Sequence, residues 1–182
     1  MNAEWIFGPA VRMSGIVESY VHLKDEVFSK EGWGLFDFDP SSLYAAKALL
    51  FVGIDPSSCS ISPRVIAGLN VVIDGASNAY IQGVIVHPAY RKQQLSDRLI
   101  AFSLNVLRSP MGIERAALCV RVLPGGQINF AASQLFARHG FINISGGPTV
   151  VTISGTWIDR HLYNTAEPDG LSFCTQKMER SL

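Results

Sequence analysis

The sequence predicts an α/β fold: a mixed, mostly antiparallel central sheet with helices on both faces. Three observations carry this. Apolar residues recur at three- and four-residue steps in two long segments, Ser14 to Ser29 and Leu95 to Leu107. Runs rich in Val and Ile, bounded by turn residues, lie between and after them. The helix from Leu95 stands between two such runs, and a strand–helix–strand crossover sets its two strands parallel and right-handed.

The elements follow in order. Ile16, Val17, Tyr20, Val21, Leu23, Val27 and Phe28 form the stripe of a first helix, with Ser14 as N-cap and Gly32 beyond its end. Gly32 to Pro40 is an aromatic-rich connector, and a short helix is expected from Ser41. Lys47 to Ile54 reads as an apolar strand stopped by Asp55-Pro56-Ser57-Ser58. Arg64 to Ile73 is a second strand, and Asp74-Gly75 opens a short loop to a third, Ala79 to Val86, so these two should pair antiparallel. Pro88 ends the third strand, and the helix from Leu95 stops before Pro110. Ala116 to Leu123 is a fourth strand, closed by Pro124-Gly125-Gly126. Asn129 to His139 is a short helix that Gly140 can end in the left-handed conformation. Strands near Thr149 to Trp157 and Leu171 to Met178 flank a polar loop, Asp159 to Gly170.

Composition limits the function. Of 182 residues, 48% are hydrophobic and 16% charged. A chain of this size buries about 70% of its unfolded surface, so one domain over 1–182 is expected and disorder is excluded. Fifteen basic and fifteen acidic side chains cancel, leaving no general field for nucleic acid or anionic membrane. The longest uncharged stretch, Phe141 to Ile158, is too polar to span a bilayer, and Met1 to Pro9 shows no secretory pattern. Cys59, Cys119 and Cys174 are too widely spaced for a metal knuckle or a disulfide framework. A cytoplasmic location with reduced thiols and no metal is expected.

The segment from Val84 to Ile100 carries the chemistry. A buried strand ends at proline, turns through Arg91 and Lys92 and enters a helix at once. Loop and first-turn amides at such a junction lack intrahelical partners, and the helix dipole adds positive charge, which suits a phosphate or diphosphate. The same residues are also compatible with an ordinary loop bearing two solvated cations, and neither GxxxxGK nor GxGxxG is present.

Val86, Pro88, Tyr90, Arg91 and Leu95 stand in the register of an acyl-CoA signature, and Asn129, Ala132, Leu135, Gly140 and Phe141 in that of a second, short-helix motif. Phe173 to Leu182 is similar to a closing strand ending in a Met-x-x-x-Leu pattern. On these residues the sequence resembles the GNAT superfamily of acyl-CoA-dependent N-acyltransferases, from about Arg64 to the end. The resemblance implies a V-shaped splay between two parallel strands. It also implies transfer of an acetyl or other short acyl group from acetyl-CoA (acyl-CoA) directly to a small-molecule or peptide amine. Val84 and Val86 would then pair with pantetheine, and Arg91, Gln93, Gln94, Leu95 and Ser96 would hold the diphosphate on amides from Arg91 through Ser96. Asn129 would help fix the coenzyme side.

Three departures bear on activity. Gln94 stands where the signature has glycine, and Ser96 where it has Gly or Ala. Phe136 replaces a tyrosine able to protonate the departing thiolate, with Ser133, one turn earlier, as a substitute donor or a plain surface hydroxyl. Between Gly75 and Asp97 there is no carboxylate, so His87 is the candidate base or simply a polar strand end; Tyr80 and Asp74 are weaker candidates. Trp33, Phe36, Phe38 and Trp157 are candidates for an acceptor pocket, Cys119 for inert packing. The alternative function is a catalytically weak or inactive acyl-CoA-binding regulatory module.

Overall fold

The computed structural model describes residues 3–9, 12–31, 48–58, 62–74, 77–121, 129–143, 149–151 and 173–181. Among them are the strands β1 (Glu4–Pro9), β2 (Ala48–Ile54), β3 (Val65–Asp74), β4 (Asn78–Val86), β5 (Arg115–Arg121), β6 (Ile142–Asn143), β7 (Thr149–Val151) and β8 (Phe173–Ser181), and the helices α1 (Ser14–Glu31), α2 (Leu95–Arg108) and α3 (Phe130–Arg138). The strands form one sheet in the order β1-β2-β3-β4-β5-β8-β6, with β7 also on β8. The crossover through α2 sets β4 and β5 parallel, as the sequence predicts; every other pairing among the described residues is antiparallel.

Alternation along the strands feeds two cores. Under α1, the buried Val17, Tyr20, Leu23 and Val27 pack with Leu50, Val52, Val65 and Ile85. On the opposite face Leu99, Ile100, Leu104 and Leu107 of α2 pack with Phe51, Leu69, Val71, Ile81 and Leu118, joined by Phe136 of α3.

One irregularity matters for the site. Gly68 pairs with Ile85 and Asn70 with Gln82, so Leu69 alone faces both Gly83 and Val84. This is a β-bulge on β4, and Gly83 takes the left-handed φ of +60° that it needs. The extra residue inverts the side-chain phase. Before it Ala79 and Ile81 face the α2 core; after it Val84 and Val86 do, and Ile85 turns to α1. The β4–β5 rungs run from Asn78↔Arg115 to Ile81↔Leu118 and end just before the bulge.

The structure adds β1, which the sequence reading missed. It is a short edge strand whose Gly8-Pro9 resembles a turn, yet an edge position tolerates proline. The two-residue β6 was also missed. The connector Gly32 to Pro40, the helix from Ser41, the turn at Pro124 and the loop Asp159 to Gly170 lie outside the described residues. So do Trp33, Phe36, Phe38 and Trp157.

Two glycines separate close approach from mere permissiveness. A Cβ on Gly68 would lie 2.7 Å from Cδ2 and Cε2 of the buried Tyr20 ring, whereas one on Gly15 meets nothing within 4 Å. Gly68→Ala should destabilise the fold by about 2–3 kcal/mol and lower Tm by roughly 5–10 °C. Gly15→Ala, in a helix, should stabilise by about 0.5–1 kcal/mol. Thermal unfolding of the two variants checks both.

Candidate active site

Past Ile81 and Leu118 the parallel strands no longer pair, which leaves an edge of β4 carrying Val84 and Val86. At the end of β4, Pro88–Tyr90 forms a single 3-10 turn, followed by Arg91 to Gln94 and then α2. Tyr90 N–H donates to His87 O and Arg91 N–H to Pro88 O. The Arg91 amide is therefore used by the turn, a correction to the expected anion-binding set. From Lys92 through Asp97, no backbone amide reaches a carbonyl among the described residues, and Gln94 at the N-cap makes no side-chain capping bond. These amides are the donors that an anion can collect.

Lys92 and Gln94 both adopt the left-handed region, at φ 63° and 58°. This gives the missing glycine a backbone meaning: position 94 needs a conformation that costs a side-chain-bearing residue roughly 1–2 kcal/mol. The Gln94 side chain is itself exposed, as are Arg91 and Gln93; Ser96 is half-buried, and Leu95 anchors the helix in the core. Arg91 Nε donates to Val86 O at 3.4 Å, tying the loop back to the strand end.

His87 is buried, and its Nδ1 accepts from the Ala89 amide at 3.2 Å. A neutral ring that accepts at Nδ1 carries its proton on Nε2, which faces Glu26 Oε2 on α1 at 3.5 Å; Arg64 Nη2, also a donor, stands 3.2 Å away and gives no hydrogen bond to it in that tautomer. Desolvation holds its pKa below the ordinary value, and Glu26 opposes that shift. The geometry makes His87 a cap for the turn, its one neutral lone pair committed there. Asn129 caps α3 through Oδ1, which accepts from Ala132 N at 3.1 Å, leaving its amide nitrogen outside the cap. Ser133 is half-buried one turn further along α3. Phe136 is core, packed edge-on against Phe141 with centroids 5.8 Å apart. The structure thus joins His87, Arg91 and Gln93 to Ser96 in one loop beside Val84 and Val86. Asn129 and Ser133 belong to the segment that follows β5. Among the described residues no group of three metal-ligating side chains occurs.

Sequence reasoning missed three polar clusters. Under α1, the Tyr20 hydroxyl lies 3.3 Å from Asn70 Oδ1 and 3.4 Å from Gly83 O, while Asn70 Nδ2 donates to Gln82 Oε1 at 2.8 Å. Burial pushes the Tyr20 hydroxyl well above its usual pKa. The available signal was Asn70, a lone amide inside a Val-rich strand. Beside the loop, the nearly buried Asp55 accepts from Tyr90 Oη at 2.6 Å on Oδ2, and from Ser57 N and Oγ at 2.9 and 2.7 Å on Oδ1. Across the loop, Asp97 on the first turn of α2 accepts from Arg138 with both oxygens at 3.1 and 3.2 Å, and His139 Nε2 lies 3.3 Å away.

Hydrogen bonds from Tyr90 and then Ser57 hold the Asp55 carboxyl down at about 2. As the pH falls below about 4, the unfolded chain takes up a proton there that the folded chain refuses. The stability from Asp55 is therefore complete above that range and is lost as the pH falls through about 2. Asp55→Asn should flatten the acid limb of a stability-against-pH curve over this window; a limb as steep as the wild type's would refute the assignment.

Comparison with known proteins bears on this geometry. The family model described as acetyltransferase (GNAT) family matches residues 19–141. A search of curated proteins finds no match. Among solved structures, ElaA of Escherichia coli superposes at a TM-score of 0.68 with 15% identity, covering 98% of this chain and 99% of that one. An acyl-CoA N-acyltransferase from Pseudomonas aeruginosa gives 0.66 with 12% identity, covering 99% and 100%. Arabidopsis thaliana NAA60, in complex with a bisubstrate analogue, gives 0.64 with 13% identity, covering 98% and 99%. At these identities the superpositions speak for the fold; the family model, running from within α1 through the strands that diverge and the loop between them, speaks for descent. The chain belongs to the GNAT acetyltransferase family.

Proposed function

We propose that this chain transfers an acetyl or other short acyl group from acyl-CoA directly to a primary amine of a small molecule or peptide. Family and fold together support acyl transfer from acyl-CoA to amines in general. The observation that carries the finer reading is the junction itself: strand pairing stops at Ile81↔Leu118, and a loop of unbonded amides begins at Lys92, six residues beyond the end of β4. A pantetheine arm can add to the open β4 edge at Val84 and Val86 as an extra strand. The amides from Lys92 to Ser96, which include Gln93, Gln94 and Leu95, together with the Arg91 guanidinium, suit the diphosphate.

The coenzyme supplies an activated acyl carbonyl, and the chain supplies position and exclusion of water. The attacking amine must arrive neutral. His87 is committed to its turn, so it takes a structural part, and Ser133, one turn before Phe136 on α3, is kept as the candidate donor in place of the absent tyrosine. The thiolate leaves readily enough for water to protonate it, at a cost in rate on the order of 10²–10⁴ where that step limits turnover. The reading takes residues 1–182 as one acyltransferase domain working in the cytoplasm. Among the described residues no helix is long and apolar enough to cross a membrane.

The strained Gln94 and the buried Phe136 favour a second reading, an acyl-CoA-binding module with little catalysis. Thiol release from acetyl-CoA across an amine panel separates the two: turnover supports the first, and tight coenzyme binding without release for any amine supports the second. Arg91→Ala should raise the coenzyme KM roughly tenfold, more than it lowers kcat. Unchanged coenzyme affinity in that variant would remove the loop from the binding site.

A further inference from the structure

We infer that Asp55 and Tyr90 act as a clamp that holds the coenzyme loop in its binding conformation, with Asp55 a positioning residue acting through the Tyr90 hydroxyl. The inference rests on the reading of that loop as the diphosphate cradle.

Asp55 is the centre of the corner between β2 and β3. Its amide donates to Arg64 O, its carbonyl accepts from Ser58 N and Oγ, and the Ser58 hydroxyl in turn accepts from Arg64 N. One carboxylate oxygen is taken by Ser57. The other is aimed out of the corner at Tyr90, 35 residues later in the chain, and accepts its hydroxyl at 2.6 Å. Bonds of that length to a carboxylate are among the stronger ones a neutral donor makes. The Tyr90 ring is held on two further sides, by the edge-on His87 ring at 5.4 Å and by the Arg64 guanidinium at 5.8 Å.

The loop needs such a hold. Lys92 and Gln94, each within four residues of Tyr90, sit in a left-handed conformation that neither prefers, and Gln94 has no capping bond of its own. A strained backbone persists only where its surroundings over-determine it. On the far side Arg91 Nε reaches Val86 O at 3.4 Å, whereas the Tyr90 hydroxyl makes a short, directional bond close in sequence to the strained residues. Without it the loop relaxes, and the apparent affinity for the coenzyme falls by the fraction of chains still in the competent form. Glycine at position 94 removes the strain and with it the need for the clamp.

This predicts a specific non-additivity. The test is a double-mutant cycle of Tyr90→Phe and Gln94→Gly on the full chain, read by calorimetric titration with coenzyme A, by kcat at saturating acetyl-CoA and by thermal melting. Tyr90→Phe, which deletes one oxygen, should raise the coenzyme A Kd about tenfold and leave kcat within about twofold. In the Gln94→Gly background the same change should cost less than about threefold, because the loop no longer relaxes. Asp55→Asn, which keeps an acceptor oxygen, should fall between wild type and Tyr90→Phe. Gln94→Gly should raise Tm by roughly 2–4 °C in the intact chain and by much less once the hydroxyl is gone. A Kd within twofold of wild type for Tyr90→Phe, or a loss that glycine does not recover, overturns the clamp. A wild-type chain that binds no coenzyme A sinks the cradle instead. The clamp is then judged by melting alone, and an equal Tm gain from Gln94→Gly with and without the Tyr90 hydroxyl overturns it.

Discussion

The bulge at Gly83 is the constraint on which the rest of the architecture depends. A strand hydrogen-bonded along its whole length to both neighbours offers no backbone to a ligand. Inserting one residue opposite Leu69 bends β4 and increases its local twist, and the ladder to β5 ends at Ile81, one rung before the irregularity. The same insertion inverts which side chains face which core, so that Ile85 secures the strand end beneath α1 while Val84 and Val86 turn to the other face. Tyr20 makes this arrangement stable from below. Its ring fills the place that a side chain at position 68 would take, and its hydroxyl meets the carbonyl of the bulge glycine.

The loop beyond β4 shows how a family scaffold can absorb a substitution that its own signature disfavours. Glycine is the residue for which a left-handed backbone is free of steric cost. Here a glutamine adopts that backbone, and a lysine two residues earlier does the same. Around them the chain is unusually well tied: His87 caps the 3-10 turn, its amide reaches Ile66 O, and Asp55 takes the Tyr90 hydroxyl. The first attachment is local, but the other two come from β3 and from the corner after β2, so tertiary contacts help fix the loop where its own sequence would not.

What the sequence made legible follows the reach of the signal. The helices α1 and α2 and the strands β2 to β5 carry long apolar periodicities, and their existence and order could be read directly. The register-level features could not. Gly83 sits in a run of β-formers and gives no hint that two residues there will face one. β1 was hidden by its shortness and its Gly8-Pro9 end. Asp55 reads as the residue that stops a strand; its partner lies 35 positions away, and no local pattern announces a contact of that range. His87 illustrates the opposite limit. Residue type alone admits a base, and only the 3.2 Å contact from the Ala89 amide reveals where its lone pair is spent. The missing glycine was visible, but only the structure shows its consequence: the Gln94 side chain is exposed, and the cost lies in its left-handed main chain.

Asp97 has a further consequence. A carboxylate on the first turn of a helix complements the dipole, yet it also sets a negative charge beside amides that would otherwise attract an anion. Arg138, 41 residues later at the tail of α3, grips both of its oxygens. The charge at this helix start is therefore set by two elements together: the carboxylate comes from α2, and the guanidinium that offsets it comes from the tail of α3, with His139 beside it.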